Sequence, residues 1–348
     1  MSPLPHRTIA CLALLACAGA LTACGVRKEP LNAPRAQALR LVLDYLPNAD
    51  HAGIYTAQAT GEFRKAGLKV QIATPSDPAA PLKLVAAGRA DLAISYEPEV
   101  LLARAKGIRV FSVAALANRP LTSLMTVGGR PVSPSGLAGK RVGTAGIPYQ
   151  SAYLKAILAD AGVDAGTVTE VNVGFNLIPT MLSRRVDATL GAFWNVEGVE
   201  LRAGHHRPRI LPVDRLGVPT YDELVVIASQ ATVRHRGALI RRFLQALQRG
   251  TRAAERDPAA AVSALRAAAP DLDRAVTAAS VAATLPVLVP RQAGKPFGWQ
   301  DPAEWQAYSD WMASNHLLAR APAAGAVLTN EFLPGEGVGD AGKEPAAP

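Results

Sequence analysis

The stretch that decides the fold is residues 39–55, LRLVLDYLPNADHAGIY. Residues 39–44 form an aliphatic run that ends in an acid, which predicts a strand. A helical pattern follows over 51–65, so the loop between them joins the carboxyl end of a strand to the start of a helix. In parallel α/β lobes, ligands bind at such loops. We therefore expect Asp44, Tyr45 and His51 to face a cleft.

Outward from this stretch, short aliphatic runs alternate with helical patterns, which is typical of βαβ units and mainly parallel sheets. A first set has strands near 39–44, 69–73, 90–96, 109–116 and 123–128, with helices near 51–65, 81–87 and 98–106. A second set has strands near 140–145, 169–173, 186–192 and 209–213, with helices near 149–161 and 176–183. The sequence therefore predicts an α/β protein with two lobes.

The last third of the chain is predicted to be mostly helical after one more strand near 223–228. Residues 236–256 are amphipathic and should pack on a core. Asp257 and Asp301 each precede a proline, so helices should begin at 258 and 302 with these side chains as N-caps. The second of these helices has a stripe of core candidates: Trp305, Tyr308, Trp311 and Met312.

The N-terminus has the pattern of an export signal. His6 and Arg7 precede the apolar run 9–21, which is too short to span a bilayer of ~30 Å as a helix. Residues 21–25, LTACG, resemble a bacterial lipobox, so we predict a signal peptide over 1–23 and lipidation of Cys24. The alternative is an ordinary signal peptide cut nearby, with an incidental cysteine. Residues 24–37 are predicted to be a tether and 334–348 a disordered tail.

Composition excludes several classes of function. The cysteines of the 348 residues are Cys11, Cys17 and Cys24, so the body has no thiol for a disulfide, a nucleophile or a metal site. The pair His205 and His206 has no framework of metal ligands around it, and we predict a solvated loop without metal. The net charge of +9 comes from scattered arginines without interleaved aromatics, which argues against nucleic-acid binding.

Residues 43–55 resemble the opening segment of the thiamine-pyrimidine binding proteins and the related fungal pyrimidine synthases. The resemblance continues through later segments and covers roughly residues 39–315. The matching segments are GEFRKAGL (61–68), AGRADLA (87–93), LAGKRVG (137–143), GFN (174–176) and FWNVEGVEL (193–201).

This resemblance implies a two-lobed fold of the periplasmic-binding-protein type, type II-like, with the ligand in a cleft between the lobes. We expect residues 38–130 and 222–333 in the first lobe and 131–221 in the second. The crossovers between the lobes are placed at 131–136 and 218–222, where hinge motion would close the cleft.

A flat aminopyrimidine needs aromatic planes for stacking and polar groups along its edge. The candidates for stacking are Tyr45, Tyr96 and Trp194, although Tyr45 and Tyr96 have a core role as an alternative. The candidates for edge contacts are Asp44, Glu97, Asn195 and Glu197, and Glu97 has the alternative role of a helix N-terminal acid. Further candidates from the second lobe and the crossover are Gly146, Tyr149, Gln150, Tyr221, Asp222 and Glu223.

The resemblance also raises an enzymatic alternative, because the fungal relatives make the pyrimidine from a histidine of their own chain and a lysine-bound pyridoxal phosphate. Here Ser95 and Glu99 occupy the positions of that lysine and that histidine, and residues 217–226 lack the cysteine cluster. We therefore expect a monomeric binding protein without cofactor that delivers an aminopyrimidine to an ABC permease and ATPase, held on the outer face of the cell membrane. Riboflavin, a sulfonate such as taurine, or nitrate are alternative ligands on the same fold.

Overall fold

The computed structural model describes residues 36–129, 133–288 and 294–335. The predicted signal peptide, Cys24, most of the predicted tether and nearly all of the predicted tail lie outside the described residues, as do residues 130–132. Within the described ranges, no helix is both long and apolar enough to cross a membrane.

The strands form two five-stranded sheets. The first sheet has the order β2-β1-β3-β10-β4 and the second the order β7-β6-β8-β5-β9. In chain order the strands are β1 (Gln37–Val42), β2 (Leu68–Ala73), β3 (Leu92–Ser95), β4 (Val110–Ala117), β5 (Thr122–Thr126), β6 (Arg141–Thr144), β7 (Thr169–Asn172), β8 (Ala188–Phe193), β9 (Arg209–Pro212) and β10 (Leu224–Ser229).

The helices lie between and after these strands, in the positions that βαβ units require. They are α1 (Ala52–Ala59), α2 (Glu62–Lys65), α3 (Ala80–Ala86), α4 (Glu97–Ala105), α5 (Pro148–Asp160), α6 (Leu177–Leu182), α7 (Glu197–Ala203), α8 (Gln230–His235), α9 (Gly237–Arg256), α10 (Pro258–Ala268), α11 (Arg274–Thr284) and α12 (Pro302–Ser314). A 3₁₀ turn, Ala49–His51, precedes α1.

Each sheet is mainly parallel, as predicted, but each contains one strand that runs against its neighbours. β10 is antiparallel to β3 and β4, and β5 is antiparallel to β8 and β9. Both reversed strands begin directly after the chain has crossed from the other sheet. They therefore start at the edge where the parallel strands end, and run in the opposite direction.

The position of β5 corrects the first predicted crossover. The strand near 123–128 is predicted in the first lobe, but it pairs with β8 and β9 in the second sheet. The chain therefore crosses at 118–121, before β5, and the crossover predicted at 131–136 is wrong. The return crossover spans 213–223, which includes the predicted segment 218–222. The prediction failed because the order of strands in a sheet is not encoded by local periodicity.

The helices differ from the predictions in two respects. The helix predicted over 51–65 is divided, because Gly61 adopts a φ of +73° between α1 and α2. In addition, the local sequence patterns do not predict α7, α8 and α11. α11 is rich in alanine, threonine and serine, so its apolar periodicity is weak.

The core of the C-terminal helices follows the predicted patterns. Trp305, Tyr308 and Met312 are buried, and Trp311 is partly buried against them. The buried face of α9 consists largely of the predicted residues Leu239, Ile240, Phe243, Leu244 and Leu247. The side chains of Asp257 and Asp301 accept hydrogen bonds from the backbone N–H groups of Ala260 and Ala303, so both predicted N-caps are confirmed.

Glycine allows α1 and α9 to approach closely. A Cβ atom on Gly250 of α9 would lie 2.4 Å from Ala57 Cβ and 2.5 Å from the Gly53 carbonyl oxygen of α1. Distances this short require the two helices to separate. The contact between these helices therefore depends on the missing side chain at 250.

Replacement of this glycine tests the helix contact. We expect Gly250→Ala to lower the free energy of unfolding by about 1 to 3 kcal/mol, because an added methyl group overpacks the interface. The matched control is Gly325→Ala, whose Cβ would have no atom within 4 Å. The control should leave stability unchanged or raise it by up to about 1 kcal/mol. Urea unfolding of both variants measures the difference, and equal stabilities would contradict the interpretation.

Candidate functional site

A pocket with about 300 Å³ of empty space lies between the two lobes. Its walls come from the residues that follow the carboxyl ends of β1, β3 and β6, from the end of β8, and from the first turns of α5, α6 and α7. The lining residues are Asp44, Tyr45, Asn48, Tyr96, Ala145, Ile147, Gln150, Leu177, Gly191, Phe193 and Glu197. This volume includes space open to solvent, and the centre of a water-sized sphere can occupy only about 20 Å³ of it.

Asp44 is buried in the first-lobe wall and both its oxygens accept hydrogen bonds from the protein. The Tyr96 hydroxyl donates to Oδ2 at 2.9 Å, and His51 Nε2 lies 2.9 Å from Oδ1. The backbone N–H of Asn48 donates to His51 Nδ1 at 3.2 Å. Because Nδ1 accepts, Nε2 carries the ring proton and donates to Asp44. Neutral donors therefore hold the Asp44 carboxylate in one orientation.

Tyr45 lies at the contact between the lobes. Its ring packs edge-on against Phe175 of the second lobe, with ring centroids 4.9 Å apart. Its hydroxyl donates a long hydrogen bond of 3.5 Å to the Gly174 carbonyl. Burial, followed by the nearby Glu197 and Asp44 carboxylates, raises the pKa of Tyr45, so the hydroxyl stays protonated. Tyr45 thus covers one side of the pocket.

Glu197 is the first residue of α7 and faces Asp44 across the pocket. Its Oε2 accepts a hydrogen bond of 2.7 Å from the backbone N–H of Phe193. Burial raises its pKa to about 7, with a smaller contribution from the carboxylates of Glu200 and Asp44. Glu197 is therefore a carboxyl group that exchanges its proton near neutral pH and borders an open space.

Two glycines let the second-lobe wall form. Gly191 has a φ of +125°, and a Cβ there would lie 2.3 Å from Gln150 Nε2. Gly146 has a φ of +77°, and a Cβ there would lie 2.4 Å from Asn172 Nδ2. Side chains at these positions would displace Gln150 and Asn172, and Gln150 lines the pocket.

The two crossovers meet next to the pocket at Glu223, which is fully buried. Glu223 Oε2 accepts hydrogen bonds from the backbone N–H groups of Leu121 and Thr122, at 2.8 and 2.9 Å, and from the Tyr221 hydroxyl at 2.7 Å. The Tyr149 hydroxyl lies 3.3 Å from Oε1. The segments that join the lobes are therefore held together by one carboxyl group, whose pKa is raised by burial.

Glu97 and Asp222 form a second contact of the crossovers. The backbone N–H of Asp222 donates to Glu97 Oε2 at 2.7 Å. Asp222 accepts from Asn118 Nδ2 at 3.1 Å and from Trp305 Nε1 at 2.7 Å. Glu97 is also the first residue of α4, where an acid is favoured by the helix dipole. The structure thus places these two acids at the base of the crossovers and outside the pocket lining.

Trp194 and Asn195 also lie outside the lining. The Trp194 indole N–H donates to the Pro120 carbonyl at 3.1 Å, and the ring lies under the Arg119 guanidinium at 5.3 Å. The preceding residue, Phe193, lines the pocket instead of Trp194. Asn195 is fully buried and donates to Asp50 Oδ1 at 2.7 Å.

The predicted ligand-binding residues therefore fall into two groups. Asp44, Tyr45, Tyr96 and Glu197 line one pocket, with His51 behind Asp44 and Gly146 between two lining residues. The others form contacts between segments: Glu97, Tyr149, Trp194, Asn195, Tyr221 and Asp222. Ligand contact by any of these residues stays a prediction.

Six further lining residues are not among the predicted ligand contacts: Asn48, Ala145, Ile147, Leu177, Gly191 and Phe193. Most are small or apolar and carry no chemical signature. Asn48 was within the quoted first stretch, and its position after a strand could have identified it.

The pair His205 and His206 lies in an exposed loop between α7 and β9. Within the described part of the chain, no cluster of three or more His, Cys, Asp or Glu side chains is arranged to hold a metal ion.

Comparison with known proteins gives sequence and fold relatives of this chain. Residues 48–261 match the family described as NMT1/THI5 like. The formylaminopyrimidine-binding protein of Halalkalibacterium halodurans is 34% identical over 286 residues, which cover 81% of this chain and 86% of that protein. A putative thiamine biosynthesis protein of Haemophilus influenzae is 32% identical, over 81% of this chain and 88% of its own.

More distant relatives include an enzyme and solved binding proteins. The 4-amino-5-hydroxymethyl-2-methylpyrimidine phosphate synthase of Aspergillus parasiticus is 28% identical, over 61% of this chain and 65% of the synthase. The alkanesulfonate-binding protein SsuA of Xanthomonas axonopodis has a similar structure, with a TM-score of 0.66 and 19% identity over 84% of this chain and 98% of its own. This likeness establishes the two-lobed periplasmic-binding-protein fold.

The hydrogen bond to Asp44 gives one test of the pocket wall. We expect Tyr96→Phe to lower the free energy of unfolding by about 1.5 to 3 kcal/mol, because a buried carboxylate loses a donor. Tyr55→Phe is the control, since no hydrogen bond to the Tyr55 hydroxyl occurs in the described part of the chain and its ring is similarly buried. Chemical denaturation measures both variants. Equal losses would show that Tyr96 contributes through ring packing alone.

The raised pKa of Glu197 gives a second test. The folded state binds a proton here up to about pH 7, whereas the unfolded chain releases it near 4.5, so the free energy of unfolding falls as pH rises through that range. Protonated Glu197 contributes about 3 kcal/mol to the free energy of unfolding at low pH, and this contribution is lost by about pH 7. Glu197→Gln should remove it from urea unfolding measured between pH 5 and 8. Exposed Glu331→Gln is the control and should keep the wild-type slope. A Glu197→Gln slope equal to wild type would contradict this assignment.

Proposed function

This chain belongs to the NMT1/THI5-like family, and we propose that it is a solute-binding protein that captures a thiamine-precursor aminopyrimidine for an ABC importer. The observation that carries the proposal is the composition of the pocket. Two carboxyl groups, Asp44 and Glu197, face a space bordered by the rings of Tyr45, Tyr96 and Phe193.

An aminopyrimidine matches this composition. Its faces are π surfaces that stack on aromatic rings, and its edge combines an exocyclic amine with ring nitrogens. A neutral Glu197 offers an O–H to a ring nitrogen and a carbonyl oxygen to the amine; an ionised Glu197 offers the same pair of contacts to a protonated ring. Either arrangement holds one proton between the acid and the ring. Asn48 and Gln150 offer further amide contacts.

A sulfonate or nitrate fits the pocket poorly. Oxyanions are bound by arginine, lysine or converging N–H donors. The residues lining the pocket include two acids and no arginine or lysine, as far as the described residues extend. The similarity to the alkanesulfonate-binding protein therefore supports the fold alone, and the lining of the pocket favours a different class of ligand.

In this proposal the chain binds its ligand and does not convert it. Ser95 and Glu99 stand where the resemblance to the fungal synthases expects a lysine and a histidine. Ser95 is buried at the end of β3, and Glu99 accepts a hydrogen bond of 2.9 Å from the backbone N–H of Tyr149. A serine hydroxyl forms no Schiff base with an aldehyde cofactor. The acid at 99 is engaged in a contact between the lobes.

We include export and anchoring in the proposal. The apolar run 9–21 and the sequence LTACG at 21–25 support a lipid attached to Cys24. An anchored binding protein would release its ligand to a permease and ATPase in the same membrane. Metabolic labelling of the expressed chain with a radioactive fatty acid, with Cys24→Ser as control, tests the anchor.

Calorimetric titration tests the ligand class. The chain is titrated with formylaminopyrimidine, hydroxymethylpyrimidine, thiamine, riboflavin and taurine. We expect a formylated or hydroxymethylated aminopyrimidine to bind, and saturation at 100 times the dissociation constant should add ~2.7 kcal/mol of stability. Binding of taurine alone would overturn the proposal.

Glu197 makes the binding depend on pH in a defined direction. Because the complex keeps one proton that free Glu197 loses above about pH 7, affinity for the aminopyrimidine should fall by up to tenfold per pH unit above that value. Glu197→Gln should weaken binding by about 1 to 3 kcal/mol and reduce the pH dependence. Glu331→Gln, at an exposed position outside the lining, is the control. An unchanged pH profile in Glu197→Gln would remove Glu197 from the ligand contact.

A further inference from the structure

Asn195 connects the lobes at a place separate from the pocket. It follows β8 of the second lobe and is fully buried. Its Nδ2 lies 2.7 Å from Asp50 Oδ1 and 2.7 Å from Thr284 Oγ1, while Ser280 Oγ donates to its backbone carbonyl at 2.5 Å. Asp50 belongs to the 3₁₀ turn after β1, and α11, which carries Ser280 and Thr284, packs against that turn. The side chains of Asp50, Ser280 and Thr284 in the first lobe therefore all hydrogen-bond to Asn195 of the second lobe.

Two buried atoms in this contact lack a hydrogen-bond partner among the described residues: Asp50 Oδ2 and Asn195 Oδ1. An ionised carboxylate that is buried with one oxygen unpaired lowers the free energy of unfolding. A proton on Asp50 Oδ2 would turn that oxygen into a donor, and Asn195 Oδ1 is an acceptor that lacks one. A neutral acid and an amide are complementary because each supplies one donor and one acceptor.

The charged surroundings also favour a neutral Asp50. The carboxylates that act on it are Asp44, Glu197 and Glu223, and His51 of the same turn is engaged with Asp44. The turn packs against α1, α10 and α11. Asp50 also borders a small cavity whose other lining residues carry no ionisable side chain: Gly53, Ile54, Leu116, Leu247, Thr251, Leu288 and Phe297. The ionisable groups of these helices are Tyr55 of α1, Arg266 of α10, which donates to the Leu272 carbonyl, and exposed Arg274 of α11.

Burial and the Asp44 carboxylate accordingly raise the pKa of Asp50 well above its usual value, against a smaller opposing effect of the Asn195 hydrogen bond. In an open form, with Asn195 withdrawn and water admitted, the burial contribution is lost. The closed and open forms then differ in their affinity for one proton. The equilibrium between them therefore depends on pH.

We propose that Asp50 and Asn195 form a proton-dependent latch between the lobes, in which closure takes up one proton on Asp50 and is favoured as the surroundings become more acidic. The closing equilibrium falls by up to tenfold per pH unit while Asp50 is neutral in the closed form and ionised in the open form. Any solute held by the closed form is then bound more tightly at lower pH, because binding and closure are linked.

A ligand-free measurement of lobe closure tests the latch. Because the chain has cysteine only at 11, 17 and 24, the full chain with Cys11→Ser, Cys17→Ser and Cys24→Ser accepts two dyes at Arg64→Cys and Arg185→Cys. Both positions are exposed, one on α2 of the first lobe and one after α6 of the second. Single-molecule energy transfer between the dyes reports the closed fraction from pH 5 to 8.

Asp50→Asn and Asn195→Ala should change the closed fraction in different ways. In the unaltered latch the ratio of closed to open molecules should fall at least fivefold between pH 5 and 8. Asp50→Asn supplies an amide donor for Asn195 Oδ1 without a proton, so its closed fraction should depend on pH much less than that of the unaltered latch. Asn195→Ala removes the partner, so its closed fraction should be low throughout. Glu197→Gln should keep the decrease with pH, which separates Asp50 from the acid in the pocket.

A closed fraction that does not change with pH, or that changes equally in Asp50→Asn, overturns the latch. The Asn195→Ala chain decides the question if Asp50→Asn does not fold, since an unchanged decrease with pH in Asn195→Ala also overturns it. No ligand enters this measurement. A failure to bind pyrimidine would therefore count against the proposed function and leave the result on closure standing.

Discussion

Both chain crossings between the lobes converge on one buried carboxyl group, that of Glu223. It accepts from Leu121 at the end of the first crossing, from Thr122 at the start of β5 and from Tyr221 of the second crossing. Tyr149 of the second lobe donates to its other oxygen. Without this acceptor, the buried backbone N–H groups of Leu121 and Thr122 would lose a hydrogen-bond partner. The Glu223 carboxyl group thus holds the two crossings together.

The pocket is built directly on this junction through a series of aromatic rings. Tyr221 contacts Tyr153, Tyr153 contacts Tyr149, and Tyr149 contacts Tyr96, with neighbouring ring centroids 5.1 to 5.7 Å apart. Tyr96 ends the series by donating to Asp44 in the pocket wall. Rigid packing of this kind transmits displacement, because interiors are close-packed. A continuous series of packed rings thus connects the crossings with the Asp44 carboxylate.

The cleft is acidic although the chain as a whole carries a net charge of +9. Asp44, Asp50, Glu197 and Glu223 are all buried near it, and the hydrogen bonds that reach them come from tyrosine, histidine, threonine, amide and backbone groups. Neutral partners leave the negative charge of these acids uncompensated, so burial raises the pKa of Asp50, Glu197 and Glu223. Such a cleft favours ligands that bring protons or amine donors.

By itself the sequence determined the elements and the general position of the site. The aliphatic runs, the caps at Asp257 and Asp301 and the first loop after β1 follow from local chemistry, which acts between residues close in the chain. Only the tertiary structure decided that β5 joins the second sheet and that Phe193, and not Trp194, lines the pocket. It also decided that Asn195 joins the lobes instead of facing the pocket. These outcomes depend on strand order and on contacts between residues far apart in the chain, which periodicity does not encode.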